Sequence, residues 1–165
     1  IAAVLKAVSA VRGRGLDIGL VLVGSGNERP RLEAMAADSG IREAVYFLEP
    51  VPNLEMPLVY SAADVFVFAP LYEIFGMVVL EAMACGLPMV STPIPAVTDI
   101  LSANPRSGIL TFPYSADGEL AGRLLALAED PASLADMGKA NHRAAQGYSW
   151  QRIGRRFFEE YSNLL

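Results

Sequence analysis

The chain has 165 residues, 53% of them hydrophobic, enough for one domain whose central sheet is buried on both faces. A net charge of -5 and a pI near 4.9 argue against nucleic acid as a partner. A single cysteine, Cys85, excludes an internal disulfide, and with a single histidine, His142, it makes no zinc-type spacing.

In chain order, IAAVLKAVSAVRGRG reads as a helix with Lys6 and Arg12 on its polar face. It is entered without a methionine, a signal peptide or a strand, so the sequence is expected to be a piece of a longer protein. IGLVLVGSG (residues 18–26) is a continuous apolar run closed by glycines, the pattern of a buried parallel strand. Residues 28–40 form an amphipathic helix with Leu32, Met35 and Ala36 inward and Gly40 as its stop. A second strand is expected over 44–49, a short helix over 56–64 and a third strand over 65–70. A helix over 76–85, stopped by Gly86 and Pro88, precedes a strand over 88–92, a helix over 96–103 and a strand over 108–112. Helices then take over, at 117–129, 131–146 and 150–164. Strands alternating with helices imply one α/β domain with a doubly wound parallel sheet. No apolar run reaches the roughly 18 residues of a spanning helix, so no transmembrane segment is expected.

The segment PLYEIFGMVVLEAMACGLPMVS (residues 70–91) carries two glutamates, Glu73 and Glu81, in very apolar company. Glu81 has Met77, Val78, Val79, Leu80, Ala82, Met83, Ala84 and Cys85 around it, and a helix apolar on all sides is buried on all sides. A carboxylate there requires partners. Either backbone amides or an arginine satisfy it, or it faces a ligand offering paired hydroxyls, such as the vicinal diol of a ribose. Glu73 follows a strand, at the carboxyl edge where open α/β sheets bind ligands. Taken singly it reads as an exposed loop acid. Phe75, Gly76 and Met77 form the expected helix N-terminus, whose free amides and dipole suit phosphate. Glu81 lies roughly 7 Å further along the axis at about 1.5 Å per residue, so both acids and the amides can touch one nucleotide-sugar.

The frame E-x-F-G-x-x-x-x-E-A-M-A-C-G-x-P resembles the E-x7-E signature of retaining GT-B glycosyltransferases, especially glycosyltransferase family 4. LVLVGSG, YSAADVFVFAP, EAMACGLPMVST, the run DPASLADMG and YSWQRIGRRF follow in the order such proteins have. The resemblance covers nearly the whole chain and implies the Rossmann-like C-terminal, donor-binding half of such an enzyme. It implies that Glu81 holds the ribose hydroxyls, that Glu73 lies beside the donor sugar as the catalytic-site acid, and that amides at Phe75, Gly76 and Met77 hold sugar and phosphate. Gly24, Gly26 and Leu48, in strand-end loops, would border the base. The donor would be a UDP- or GDP-sugar, with no metal, no cofactor and an unspecified acceptor. The protein would be cytoplasmic, reaching a membrane only peripherally through its N-terminal domain.

Ile74 stands where the family usually has glycine, Glu49 where a glycine often ends the strand, and Asp99 where a glutamate is common. These departures bear on the donor sugar more than on the nucleotide. The arginine and lysine that such enzymes use on the diphosphate have no counterpart here, and the sequence is expected to begin after the family's first strand and acceptor-binding domain. With the strand order 3-2-1-4-5-6, such a start would leave the strands at Val21 and Val65 flanking a gap. Arg29 and Arg31 read as solvated surface charge, and His142 as a surface histidine. Cys85 reads as a small core residue. Trp150, Ile153, Phe157, Tyr161 and Leu164 form a helical stripe, with Ser149 as N-cap, expected to pack in the core. The resemblance adds that such a helix crosses to the partner domain, which would leave its aromatics uncovered here. The leading functional reading is the donor half of a glycosyltransferase. The alternative is a non-catalytic module that holds a nucleotide-sugar or docks another subunit.

Overall fold

The computed structural model describes residues 1–113 and 118–164. The expected helix start at Asp117 lies outside them. Helix α1 (Ala2–Arg12) is followed by strand β1 (Leu20–Val23), α2 (Arg29–Asp38), β2 (Val45–Leu48), α3 (Met56–Ser61) and β3 (Phe66–Phe68). Then come α4 (Met77–Ala84), β4 (Met89–Ser91), α5 (Pro95–Ala103), β5 (Ile109–Thr111), α6 (Glu119–Glu129), α7 (Pro131–Ala145) and α8 (Trp150–Ser162). Short 3-10 turns precede β2 and follow α7.

Every strand pairing is parallel, but the ladders form two sheets, β1–β2 and β3–β4–β5. Among the described residues β1 and β3 do not pair with each other. The break falls between the two strands that the sequence reading placed on either side of a gap. Packing, not hydrogen bonding, joins the two sheets: Leu20 and Leu22 of β1 and Val67 of β3 meet the same core, built on Leu5, Val8 and Val11 of α1 and Leu120 of α6.

The three-stranded sheet is buried on both faces, as its apolar runs predict. Successive side chains along a strand point to opposite sides. Val90 joins the core under α1 and α6, while Met89 joins a second core made by Val79 and Met83 of α4 and Val97 and Ile100 of α5. Val67 and Phe66 divide between the two cores in the same way. Full burial of a side chain such as Leu5 or Met83 stabilises by about 1.5–3 kcal/mol.

Helix α7 closes the amino edge of this sheet, and Asn141 is its anchor. Asn141 precedes His142, which was read as a surface residue, yet it is fully buried. Its Oδ1 accepts from the Gly108 amide at 2.7 Å, and its Nδ2 donates to the carbonyls of Leu87 at 2.7 Å and Gly108 at 2.9 Å. Those residues enter β4 and β5, so one side chain satisfies backbone groups that sit between ladder and helix. Gly138 makes the close approach possible: a Cβ there would run into the carbonyl oxygen of Gly86. His142 is exposed, as expected, and its Nδ1 lies 2.7 Å from the Ala84 carbonyl at the end of α4.

Helix α8 departs from the core packing expected of its stripe and is uncovered, as the resemblance implied. Ser149 caps it, accepting from the Arg152 amide, but no residue of the helix is buried. Trp150, Phe157, Tyr161 and Leu164 face outward, because the spacing that makes a helix amphipathic does not supply a surface to cover it. No described helix is long and apolar enough to cross a membrane.

Candidate functional site

Of the residues singled out in the sequence, Gly24 follows β1, Leu48 ends β2 and Glu73 lies in the loop after β3, while Glu81 lies on α4. At the end of β1, Gly24 has φ 131°, a conformation that favours glycine, and its amide donates to the Leu48 carbonyl at 3.1 Å. That bond ties the loop after β1 to the end of β2. Gly26 is exposed just beyond, and Leu48 is 40% exposed.

The cation nearest these loops is committed. Arg29 donates to Glu33 at 3.1 Å, to Glu49 at 2.5 Å and to the Phe47 carbonyl at 3.2 Å, and its guanidinium lies 5.8 Å from the Phe47 ring centroid. The bonds to Glu33 and then Glu49 raise its pKa further. Arg29 is therefore a clamp between α2 and β2, not the solvated charge expected of it. Glu49 serves as its partner where a strand-ending glycine would be common. Arg31 pairs with Glu28 on the exposed surface, in keeping with the expected role.

After β3 the chain turns through Leu71 and Tyr72 into Glu73. Oε1 of Glu73 accepts from three successive amides, Ile74 at 2.9 Å, Phe75 at 3.1 Å and Gly76 at 3.3 Å. These bonds, that of Gly76 first, hold its carboxyl below the usual range. Glu73 is half-buried and structural to its loop, so the lone exposed acid of the sequence reading is corrected. So is the expectation of free amides at Phe75 and Gly76: the protein's own carboxylate takes both. Among the described residues, the Met77 and Val78 amides at the start of α4 meet no acceptor, and neither does Oε2 of Glu73. Gly76 makes the turn with φ 55°, and a Cβ there would lie 3.3 Å from the Ala96 Cβ and 3.4 Å from Val79. No other residue fits that position without strain.

Glu81 overturns the burial argument made for it. Helix α4 is not covered on all sides: Met77, Glu81 and Ala84, at helical spacing, face outward while Val79, Ala82 and Met83 are buried. The sequence made the helix apolar; the contacts leave one stripe of it open. The partner of Glu81 is neither backbone nor arginine but the Tyr60 hydroxyl, which donates to Oε2 at 3.0 Å. Tyr60 went unremarked in the sequence, although a tyrosine on an otherwise apolar short helix signals a buried ring with a hydroxyl to satisfy. Cys85 is half-buried, and burial first, then the Glu81 charge, raises its thiol pKa.

No described hydrogen bond links Glu73 to Glu81; each has its own partner. No described group of three His, Cys, Asp or Glu side chains comes together as a metal site. A cavity of about 750 Å³ lies toward the opposite, amino edge, lined by Tyr60, Asp64, Cys85, Pro88, Leu134 and His142 among others. The carboxyl edge is an open surface of exposed Leu71, Tyr72, Ile74 and Phe75.

Residues 1–144 match the family described as "Glycosyl transferases group 1". The chain belongs to that family. It is 35% identical over 161 residues to a D-inositol 3-phosphate glycosyltransferase of Pseudarthrobacter chlorophenolicus, covering 95% of this chain and 38% of that protein. It thus spans well under half the length of such curated relatives. Among solved structures, sucrose-phosphate synthase of Thermosynechococcus elongatus superposes with a TM-score of 0.81 at 26% identity, over 97% of this chain and 42% of that one. The pneumococcal O-GlcNAc transferase GtfA, solved with UDP and GlcNAc, gives a TM-score of 0.82 at 20% identity, over 98% of this chain and 32% of that one. The α/β architecture of this glycosyltransferase domain is that of GT-B enzymes.

Proposed function

We propose that this domain is the donor-binding half of a retaining glycosyltransferase, which moves a sugar from a nucleotide diphosphate sugar to an acceptor without a metal. The observation that carries this reading is the loop after β3, where Glu73 uses one oxygen to shape the turn. Its other oxygen is left to accept from a sugar hydroxyl. The Met77 and Val78 amides then meet the diphosphate at the positive end of α4. When the bond from sugar C1 to phosphate oxygen breaks, the leaving group takes the electron pair, and fixed amides stabilise that growing charge. Glu81 accepts from the ribose hydroxyls, and Gly24, Gly26 and Leu48 border the base.

A UDP-sugar is the first donor to try, since GtfA and an Anabaena protein of the same fold were each solved with UDP. A GDP-sugar is the second. The catalytic apparatus is completed by cations and an acceptor site outside this chain, in a protein working in the cytoplasm. The alternative, a binding module without activity, draws on one observation: Arg29 and Arg31 are both spent on carboxylates, leaving neither for the phosphates.

Saturation-transfer NMR on the full-length natural protein with UDP-, GDP- and ADP-sugars tests the reading. Saturation should reach the ribose and sugar protons of one donor, and that donor should be consumed once acceptors are supplied. Binding without consumption across an acceptor panel would favour the alternative, and silence toward every sugar nucleotide would contradict both.

A further inference from the structure

Glu81 is exposed, and an exposed glutamate samples many rotamers. Tyr60 beneath it is buried, at 6% exposure. Its ring stands edge-on to Phe66 with centroids 5.7 Å apart, and Phe66 stacks on Phe68 at 5.9 Å. Both phenylalanines belong to β3, whose register against β4 pairs Phe66 with Met89 and Phe68 with Ser91. The phenol is thus fixed to the sheet, and its hydroxyl reaches Oε2 of Glu81 at 3.0 Å. Among the described residues Oε1 has no partner.

We propose that Tyr60 is a positioning residue, whose hydroxyl holds the Glu81 carboxylate so that Oε1 is presented to the vicinal diol of the donor's ribose. The inference rests on the donor reading above and adds the group that pre-organises it. Burial first, then the hydrogen bond to Glu81, pushes the Tyr60 pKa well up, so the phenol stays a donor at physiological pH. A carboxylate that takes one hydrogen bond from a rigid phenol loses less freedom when the ribose arrives. The competing explanation is that Glu81 only satisfies a buried hydroxyl. The two differ in what the ligand feels.

Calorimetry on the full-length natural protein separates them, using UDP or GDP, whichever binds, and its 2′,3′-dideoxy counterpart. Tyr60→Phe keeps the ring against Phe66, so Tm should stay within about 3 °C. The variant should bind the ribonucleotide about fivefold more weakly and the dideoxynucleotide as wild type does. Adding Tyr60→Phe to Glu81→Gln should cost no further affinity, because the pair acts as a unit. Equal weakening toward both nucleotides, or no weakening, would overturn the positioning role. Failure of the donor reading shows earlier and elsewhere: wild type would not discriminate ribo- from dideoxynucleotide, which overturns both.

Discussion

The two edges of the three-stranded sheet are built on opposite plans. At the amino edge, α7 lies close against the entries to β4 and β5, the Asn141 side chain closes three hydrogen bonds there, and Gly138 lets two backbones approach. At the carboxyl edge, the loop after β3 is just as defined, with one carboxylate oxygen ordering three amides, yet it carries Leu71, Tyr72, Ile74 and Phe75 into solvent. At the first edge Asn141 matches the backbone groups of Leu87 and Gly108 within the protein, although the neighbouring Ser107 hydroxyl is buried without a partner among the described residues. At the second, the loop satisfies itself halfway and leaves an oxygen and two amides for something else. Under the proposed donor-binding function, the difference separates residues kept for stability from residues arranged for binding. The 750 Å³ hollow lies toward the amino edge, with Tyr60 in its lining.

Substitutions can break that contrast. The largest expected effect is at Asn141. Asn141→Ala leaves the Gly108 amide and the Leu87 and Gly108 carbonyls without partners and should lower stability by about 3 kcal/mol, measured by denaturant unfolding. Affinity for a nucleotide-sugar, measured on the folded fraction, should not change. Gly138→Ala forces a methyl onto the Gly86 carbonyl and should cost about 2 kcal/mol, again with binding intact. A binding loss in either folded variant would erase the division between the edges.

Gly76→Ala acts the other way. The left-handed turn and the contact with Ala96 should cost only about 1 kcal/mol. Displacing the start of α4 should weaken nucleotide-sugar binding about tenfold, the sensitivity expected of a positioned site. Wild-type affinity in this variant would remove the loop from the site.

The smallest effect is in acid. The Glu73 pKa is lowered from the usual 4.5 by its amide bonds, so its contribution to the loop is fully present above 4.5. That contribution fades as pH falls through the lower folded value. Amide shifts of Ile74, Phe75 and Gly76 should titrate together with a midpoint below 4.5, and Glu73→Gln should abolish the transition. A midpoint at or above 4.5 would mean that the three hydrogen bonds do not form.

Alternation of helix and strand was legible throughout. Apolar runs such as residues 18–26 have no competing pattern, and glycine or proline punctuates most of them. The paired glutamates and the glycine between them were legible because carboxylates stand out against apolar neighbours. What each carboxylate binds was not legible. Glu73 captures its own amides through a local turn, and Glu81 meets a tyrosine 21 positions earlier, a contact that only packing creates. The burial expected of α4 failed because composition counts neighbours along the chain, whereas exposure depends on which faces other elements reach. Asn141 was within reach of the sequence. Leu134, Met137, Gly138 and Asn141 share one helical face, so its polar neighbours were a poor guide to its surroundings. For α8, periodicity defined a face but not a partner.

Amide chemical-shift mapping of the full-length natural protein, titrated with UDP- and GDP-sugars, locates the donor on one edge of the sheet or the other. A donor at the carboxyl edge should perturb Gly24, Gly26, Leu48 and the loop from Glu73 to Val78, with Tyr60 and Glu81 following through their hydrogen bond. Shifts confined to Asp64, Leu134, Lys139 and His142 around the amino-edge cavity, with the loop after β3 unmoved, would contradict it.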